Sequence, residues 1–479
     1  MTLSERIESL PPPLTIPGAR ALLRRAFVEG GRKLVVVDDD PTGTQTVHGV
    51  RVYMDWTPKT LAAALQDSRP LFYLSTNSRS LSGPQAALLA GDLGRALRAA
   101  GKAAGVEVVV ASRSDSTLRG HFPGEVTALV AGLGSQIDGI LIVPAFFEAG
   151  RYTIDDIHWV KGAAAGRAVA ADELIPAAET EFARDPDFGF HHSDLKEWVE
   201  EKSGGGWRAG EVRAISLDAL RTGGVDYAAA VLADATGGAP IVGNAACYED
   251  LEVLALGVAQ AEQAGKRFIY RTAASFVKVR GGIEDRALLG RAELQRREGA
   301  GLIVAGSYVA KTTRQIESAL DSGRVEGVEL SVEALLDGRA REGEVGRVAR
   351  EATRLMRGGV TPLVYTTREI ERRADFLAAG RAIMSGLCSV VGRIEAAPSY
   401  LVAKGGITSI ELARSALGVK AAEVLGQVVS GVPVWRLGRQ ALWPDLLYVV
   451  FPGNVGGDDG LLDVVEIMEG GGAPSRAPR

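Results

Sequence analysis

Short runs that are apolar along their whole length constrain this chain more than any other feature. The first is KLVVV (33–37), and LFYLS (71–75), EVVVAS (107–112), GILIVPA (139–145), RFIYR (267–271), GLIVAGS (301–307), TPLVYTT (361–367) and LLYVVFP (446–452) follow. A strand with one wet face alternates apolar and polar residues, so a run without that alternation is buried on both faces. Between the runs lie helical patterns such as PQAALLAGDLGRALRAA, YEDLEVLALGVAQAEQAG and TTRQIESALDSG. Together they predict an α/β fold built from mainly parallel sheets flanked by helices.

At 479 residues the chain exceeds one ordinary core, so two domains are expected. The charged stretch SFVKVRGGIEDRALLGRAELQRREGAG marks the division, with an N-terminal domain over 1–280 and a C-terminal domain over 281–479. The alternation weakens over 151–210, which reads as a loop-rich excursion near a site mouth. The tail EGGGAPSRAPR reads as disordered.

The formal net charge of −5 gives no reason to expect nucleic acid as a partner. The two cysteines, Cys247 and Cys388, match no metal spacing and suit a reducing compartment. The N-terminus has no long apolar core, and no uncharged apolar stretch is long enough to span a bilayer, so a soluble, cytoplasmic protein without membrane partners is expected. No H-E-x-x-H motif, G-x-S-x-G elbow or Walker A spacing occurs.

Three strand ends carry the chemistry of the first half. The first apolar run meets Asp38, Asp39 and Asp40, followed by Pro41, Thr42 and Gly43. Three adjacent carboxylates repel one another, so the position requires something that offsets the repulsion. The second strand end supplies Asn77, Ser78 and Arg79, and the third supplies Arg113, Ser114, Asp115, Ser116, Thr117, Arg119 and Gly120. In doubly wound sheets ligands lie beyond the carboxyl ends of the strands. A shared pocket here would hold a polyol with a carboxylate: hydroxyls on Asp and Asn, an anion on an arginine fork. The competing reading is that Arg79 and Arg119 pair with the domain's own aspartates.

The second half repeats a different pattern, strand then glycine turn then helix. It occurs at Gly306–Ser307 before a helix expected near Thr312, at Gly405–Gly406 before an N-cap at Thr408 or Ser409, and at Pro452-Gly453-Asn454. Backbone N–H groups at such turns bind phosphate oxygens, although a single one is ordinary α/β construction.

In these residues the chain resembles the four-carbon acid sugar kinases, formerly a domain of unknown function, DUF1537, which phosphorylate threonate, erythronate or oxo-tetronate with ATP. Asp39-Asp40-Pro41-Thr42-Gly43 is similar to the family's aspartate–aspartate–leucine–threonine–glycine signature, and Thr76-Asn77-Ser78-Arg79 to its threonine–aspartate–serine–arginine element. Asp115-Ser116-Thr117-Leu118-Arg119-Gly120 matches the family's most distinctive run intact, and PAFFEAGRYT (144–153) resembles a further loop. GSYVAKTTRQ, GGITS and PGN resemble its nucleotide elements, so the likeness spans nearly the whole chain in order. The chain departs from the pattern at Pro41, Asn77, Val309, Ile407 and Pro452.

The resemblance implies an N-terminal sugar-acid domain, a C-terminal nucleotide domain and an active-site cleft between them. It implies ATP and Mg2+ as cofactors and a small sugar acid as substrate; a homodimer is left open. Asp39 and Asp115 are the candidate catalytic bases. Asp38, Asp40, Thr42, Gly43, Asn77, Arg79, Ser116, Thr117 and Arg119 are expected to bind the acid, and Gly306, Ser307, Gly405, Gly406, Ile407, Thr408, Gly453 and Asn454 the nucleotide. The rival readings are a non-catalytic sensor of sugar acid and nucleotide and, with no G-x-G-x-x-G turn to support it, a dehydrogenase.

Overall fold

The computed structural model describes residues 2–470 apart from Pro41, Arg167, Ser307, Tyr308, 368–375 and Asn454, and only the backbone of 376–379. Two units emerge, one formed by Met1–Thr46 and Asp55–Asp285, the other by Val47–Met54 and Arg286–Arg479. The sequence reading assigned 47–54 to the N-terminal domain; the structure groups Val47–Met54 with the second unit.

The first unit holds seven parallel strands in the order Leu71–Ser75, Arg32–Asp38, Glu107–Arg113, Phe268–Thr272, Gly139–Val143, Ala239–Gly243 and Arg213–Ile215. Leu34, Val35, Val36 and Val37 are all buried, as an unalternating apolar run requires. Register pairs Asp38 with Ser75 on one side and Arg113 on the other, which brings three polar strand ends side by side. The flanking helix Gly83–Ala104 begins at a Ser82–Gln85 capping box and stops at Gly105 in a left-handed conformation. Glycine lets it lie close to the helix Gly124–Leu133: a Cβ on Gly94 would sit 2.5 Å from the Leu129 carbonyl oxygen.

The segment read as loop-rich contains a three-stranded antiparallel sheet, Arg151–Ile154, Ile157–Lys161 and Leu174–Pro176, and a helix, Leu195–Lys202. Tyr152, Ile154, Trp159 and Leu174 bury themselves in a small cluster with Leu217 and Ala246. The strands are too short and too mixed in composition for periodicity to reveal them.

The second unit has five parallel strands, Val325–Leu330, Thr361–Thr366, Leu302–Ala305, Tyr400–Lys404 and Leu447–Phe451, in that order. Three antiparallel strands continue the sheet: Val432–Leu437, Ala421–Val429 and, from far upstream, Val50–Tyr53. Its core joins Val402, Val449 and Phe451 of the sheet to Ile316 and Ala319 of the helix Ala310–Asp321 and to Leu461, Val464 and Val465 of the helix Gly460–Glu469. Among the described residues no helix is long and apolar enough to cross a membrane.

Candidate functional site

The strand end Asp38–Asp40 is held together by arginines. Arg113 Nη1 lies 3.2 Å from Asp38 Oδ1, while Arg79 Nη2 lies 3.2 Å from Asp39 Oδ1 and 2.5 Å from Asp40 Oδ2. The amide and hydroxyl of Thr42 donate to Asp40 Oδ1 at 2.7 and 2.6 Å, closing a local turn. Burial pushes Asp38 up to about 7 despite the opposing charge of Arg113. Burial alone would raise Asp40 as well, but Arg79 and Arg113 outweigh it and hold its carboxyl below the usual range. Gly43 rests on this arrangement, and a Cβ there would overlap the Asp38 carboxylate.

The third strand end closes over the first. Ser114 Oγ donates to Asp39 Oδ2. Asp115 Oδ2 accepts from Arg119 Nε at 2.6 Å and from the Thr117 hydroxyl, with Arg79 Nη1 at 3.9 Å. Burial opposes its charge, yet Arg119 and Arg79 hold Asp115 well below the ordinary carboxylate range. Gly120, at φ 122°, presses its backbone against this cluster: a Cβ would stand 2.6 Å from Ser114 Oγ and 3.1 Å from Asp39 Oδ2. Beneath lies Glu125, buried, accepting from Ser78 Oγ at 2.6 Å and pushed up to about 7 by burial and by Asp39.

Two guanidinia in this neighbourhood, Arg151 and Arg271, have no carboxylate ion pair among the described residues; Arg271 Nη2 donates to the Arg119 carbonyl at 3.4 Å. Arg151, in the small antiparallel sheet, is within electrostatic range of Asp115 and Arg119 and 5.8 Å from the Phe182 ring centroid. Its Nε is buried without a hydrogen-bond partner. Burial lowers its pKa, Asp115 only partly compensating. His158, also buried, faces the same region: its Nε2 lies 2.7 Å from the Ser116 carbonyl oxygen, and burial lowers it to about 4, so it is neutral at neutral pH.

In the second unit the three glycine turns converge. A Cβ on Gly306 would stand 2.6 Å from Thr408 Oγ1 and 2.9 Å from Leu387 Cδ1, so the first turn abuts the second. Gly405 takes φ 118° and donates its N–H to the Phe451 carbonyl at 2.8 Å. The third turn is roped to the helix Ala310–Asp321: Thr312 Oγ1 donates to the Gly453 carbonyl at 3.4 Å, and Gln315 Nε2 to those of Val455 and Gly457 at 3.0 and 2.7 Å. Lys404, wholly buried, reaches the same turn and donates to the Pro452 carbonyl at 2.7 Å and the Gly453 carbonyl at 3.3 Å. Turns with little room for side chains beside a helix N-terminus suit phosphate oxygens.

Comparison with known proteins agrees with both halves. Residues 34–280 match a sugar-binding N-terminal domain, and 302–461 a nucleotide-binding C-terminal domain. The chain belongs to the four-carbon acid sugar kinase family. A D-threonate kinase of Salmonella typhimurium is 28% identical over 347 residues, 71% of this chain and 73% of that protein. Among solved structures, a protein of Salmonella typhimurium LT2 described as a putative tRNA synthase has a TM-score of 0.66 at 17% identity, over 90% of this chain and 98% of its own. A Haemophilus influenzae protein of DUF1537 gives 0.61 at 17% identity, over 91% and 99%. At that identity the two structures speak for the fold alone.

Within this family member, Asp38, Asp39, Asp40, Thr42, Arg79, Asp115, Thr117 and Arg119 form one connected network. Arg79 and Arg119 are engaged with aspartates, Arg119 also reaching Asp185 at 3.4 Å. Asn77 sits beside them at φ 56°, a left-handed conformation that asparagine tolerates better than most residues. Ser116, between Asp115 and Thr117 in the chain, turns its backbone carbonyl to His158 Nε2. Gly306, Gly405, Gly406, Thr408 and Gly453 gather at the second site, whereas Ile407 is exposed. Thr408 and Ser409 lie inside the helix Gly406–Glu411, whose N-cap is Gly405 instead; Ser409 Oγ bonds the Ala403 and Gly405 carbonyls. Ser307, Asn454 and Pro41 lie outside the described residues. Sequence reasoning places Arg113 at the third strand end without giving it a role, and passes over Glu125, Arg151 and Lys404. Arg151 lies inside the PAFFEAGRYT run and Lys404 directly before Gly405, but nothing local marks either as unpaired.

Proposed function

We propose that the chain is an ATP-dependent kinase that phosphorylates a hydroxyl of a small, four-carbon-like sugar acid. The observation that carries this reading is Arg151, a largely buried guanidinium that, like the buried Arg271, has no ion pair with a carboxylate among the described residues, whereas Arg79, Arg113 and Arg119 each have one. A substrate carboxylate would complete Arg151 with a bidentate pair. Arg119 remains a second candidate for that anion. The relative named as a D-threonate kinase supports a four-carbon acid as the first substrate to try.

Asn77, Ser116 and Thr117 offer amide and hydroxyl groups to the acid's hydroxyls. Asp39 is the preferred base: as the acceptor oxygen bonds to the terminal phosphorus and ADP leaves, the hydroxyl proton passes to its carboxylate. Asp115, held strongly ionised by two arginines, is better suited to orienting than to accepting a proton. The turns at Gly306, Gly405–Gly406 and Gly453 and the N-terminus of the helix Ala310–Asp321 would hold the phosphates. Among the described residues no group of three or more His, Cys, Asp or Glu side chains is placed to hold a metal. Magnesium, which commonly binds through substrate phosphates and few protein ligands, would neutralise phosphate charge.

ADP release with ATP, Mg2+ and a panel of three- to six-carbon sugar acids tests the proposal. Arg151→Ala is expected to raise KM for the acid by about 10- to 100-fold with a smaller change in kcat, and Asp39→Asn to lower kcat by about 100-fold or more. A protein that binds ATP yet releases no ADP with any acid is a sensor, not a kinase. An unchanged KM in Arg151→Ala would return the carboxylate to Arg119.

A further inference from the structure

We propose that Lys404 is a phosphate-binding residue, its ammonium completing the charge of a nucleotide phosphate seated among the three glycine turns. The inference rests on the reading of the second unit as the nucleotide site and adds to it a cation that the motif does not contain.

The side chain is wholly buried, and buried lysines are ordinarily paired. Of the other buried lysines, Lys278 follows that rule, 2.6 Å from Asp285, and Lys33 bonds two carbonyls and has a carboxylate, Asp67, in electrostatic range. Lys404 has two backbone carbonyls and the Phe451 ring, whose centroid is 3.8 Å from Nζ, and no carboxylate among the described residues. Among the described residues the charged side chain acting on it is Lys311, of like sign, from the first turn of the helix Ala310–Asp321. An ammonium has three donors, so one is left after the two carbonyls.

The position is suited to an anion. Lys404 and Thr312 both donate to the Gly453 carbonyl, which fixes the ammonium beside the first turn of that 12-residue helix. That turn carries no acidic residue, and its N-cap, Val309, cannot cap it with a side chain. A phosphate would therefore meet helix N–H groups and a buried cation together. Burial and Lys311 together bring the amine down to about 7, so the free protein at pH 8 holds it largely uncharged. An arriving phosphate favours the ammonium and draws in a proton from solvent.

Calorimetric titration of the full-length protein with ADP and Mg2+, in buffers of different ionisation enthalpy, tests this. At pH 8 the wild type is expected to take up more protons on binding than Lys404→Met, by up to about one per site, with the difference vanishing near pH 6. Lys404→Met is expected to weaken ADP by about 10-fold or more while leaving adenosine binding unchanged. Equal ADP affinity and equal proton uptake in the two proteins would overturn the proposal. Should the variant fail to show a cooperative melt, the wild type decides alone: no proton uptake at pH 8 relative to pH 6 overturns it. A wild type that binds neither ADP nor ATP would instead remove the nucleotide reading beneath it.

Discussion

Asp38, Asp39 and Asp40 tolerate one another because each has its own donor: Arg113 for the first, Arg79 and Ser114 for the second, Arg79 and Thr42 for the third. Glu125 is raised by burial and by the Asp39 charge, and the Ser78 hydroxyl with the charges of Arg271 and Arg79 offsets this only in part. Its folded pKa of about 7 lies above that of the unfolded chain. A carboxyl raised in this way costs nothing below its unfolded value, and its penalty grows as pH rises through the folded value. The wild type is therefore expected to lose stability relative to Glu125→Gln between pH 5 and 8, about 1 kcal/mol or more over that window. Thermal melts of both proteins across the window check it; parallel curves would show that Glu125 stays ionised in the fold.

At the scale of elements, one carboxylate ties four of them. Glu262, at the end of the helix Tyr248–Gln263, accepts from Arg280 Nη2 at 2.5 Å, from Arg32 Nη1 at 2.7 Å and from the Tyr270 hydroxyl. These donors come from the helix Ala274–Arg280 and the strands Arg32–Asp38 and Phe268–Thr272. Arg280 is buried with Glu262, and removing one member of such a pair strands the other's charge. Glu262→Gln is expected to cost about 3–5 kcal/mol in denaturant unfolding of the first unit. A loss under about 1 kcal/mol would mean that the ring of Phe27, 4.3 Å from the Arg280 guanidinium carbon, suffices to hold it.

For the whole molecule, the chain path matters as much as the two cores. Between two segments of the first unit it contributes Val47–Met54 to the second, where Val50–Tyr53 pairs antiparallel with the strand Ala421–Val429. Gly49 and Met54 anchor the ends of this insert on the Val424 and Lys420 carbonyls at 2.7 and 3.0 Å. A fragment of residues 286–470 would therefore present Ala421–Val429 as an unpaired edge, a template for aggregation. Expressed alone it is expected to be largely insoluble, and fusion of 47–54 through a flexible linker is expected to restore solubility, read by the soluble fraction after lysis. A soluble, monomeric fragment without the fusion would show that the strand is dispensable.

The sequence by itself determined where parallel strands lie, because burial on both faces demands runs such as KLVVV and LLYVVFP that no other environment favours. It also determined which residue types crowd their ends, since the ligand edge of a parallel sheet follows from chain direction alone. Only the tertiary structure decided the pairing within those crowds: that Arg113 takes Asp38, that Arg79 and Arg119 are occupied, and that Arg151 and Lys404 are left without a carboxylate among the described residues. It alone decided that residues 50–53 belong with residues 421–424. Local periodicity records whether a residue is buried, but the partner of a charge or of a strand edge comes from distant parts of the chain, and its identity depends on register and on distances that periodicity does not carry.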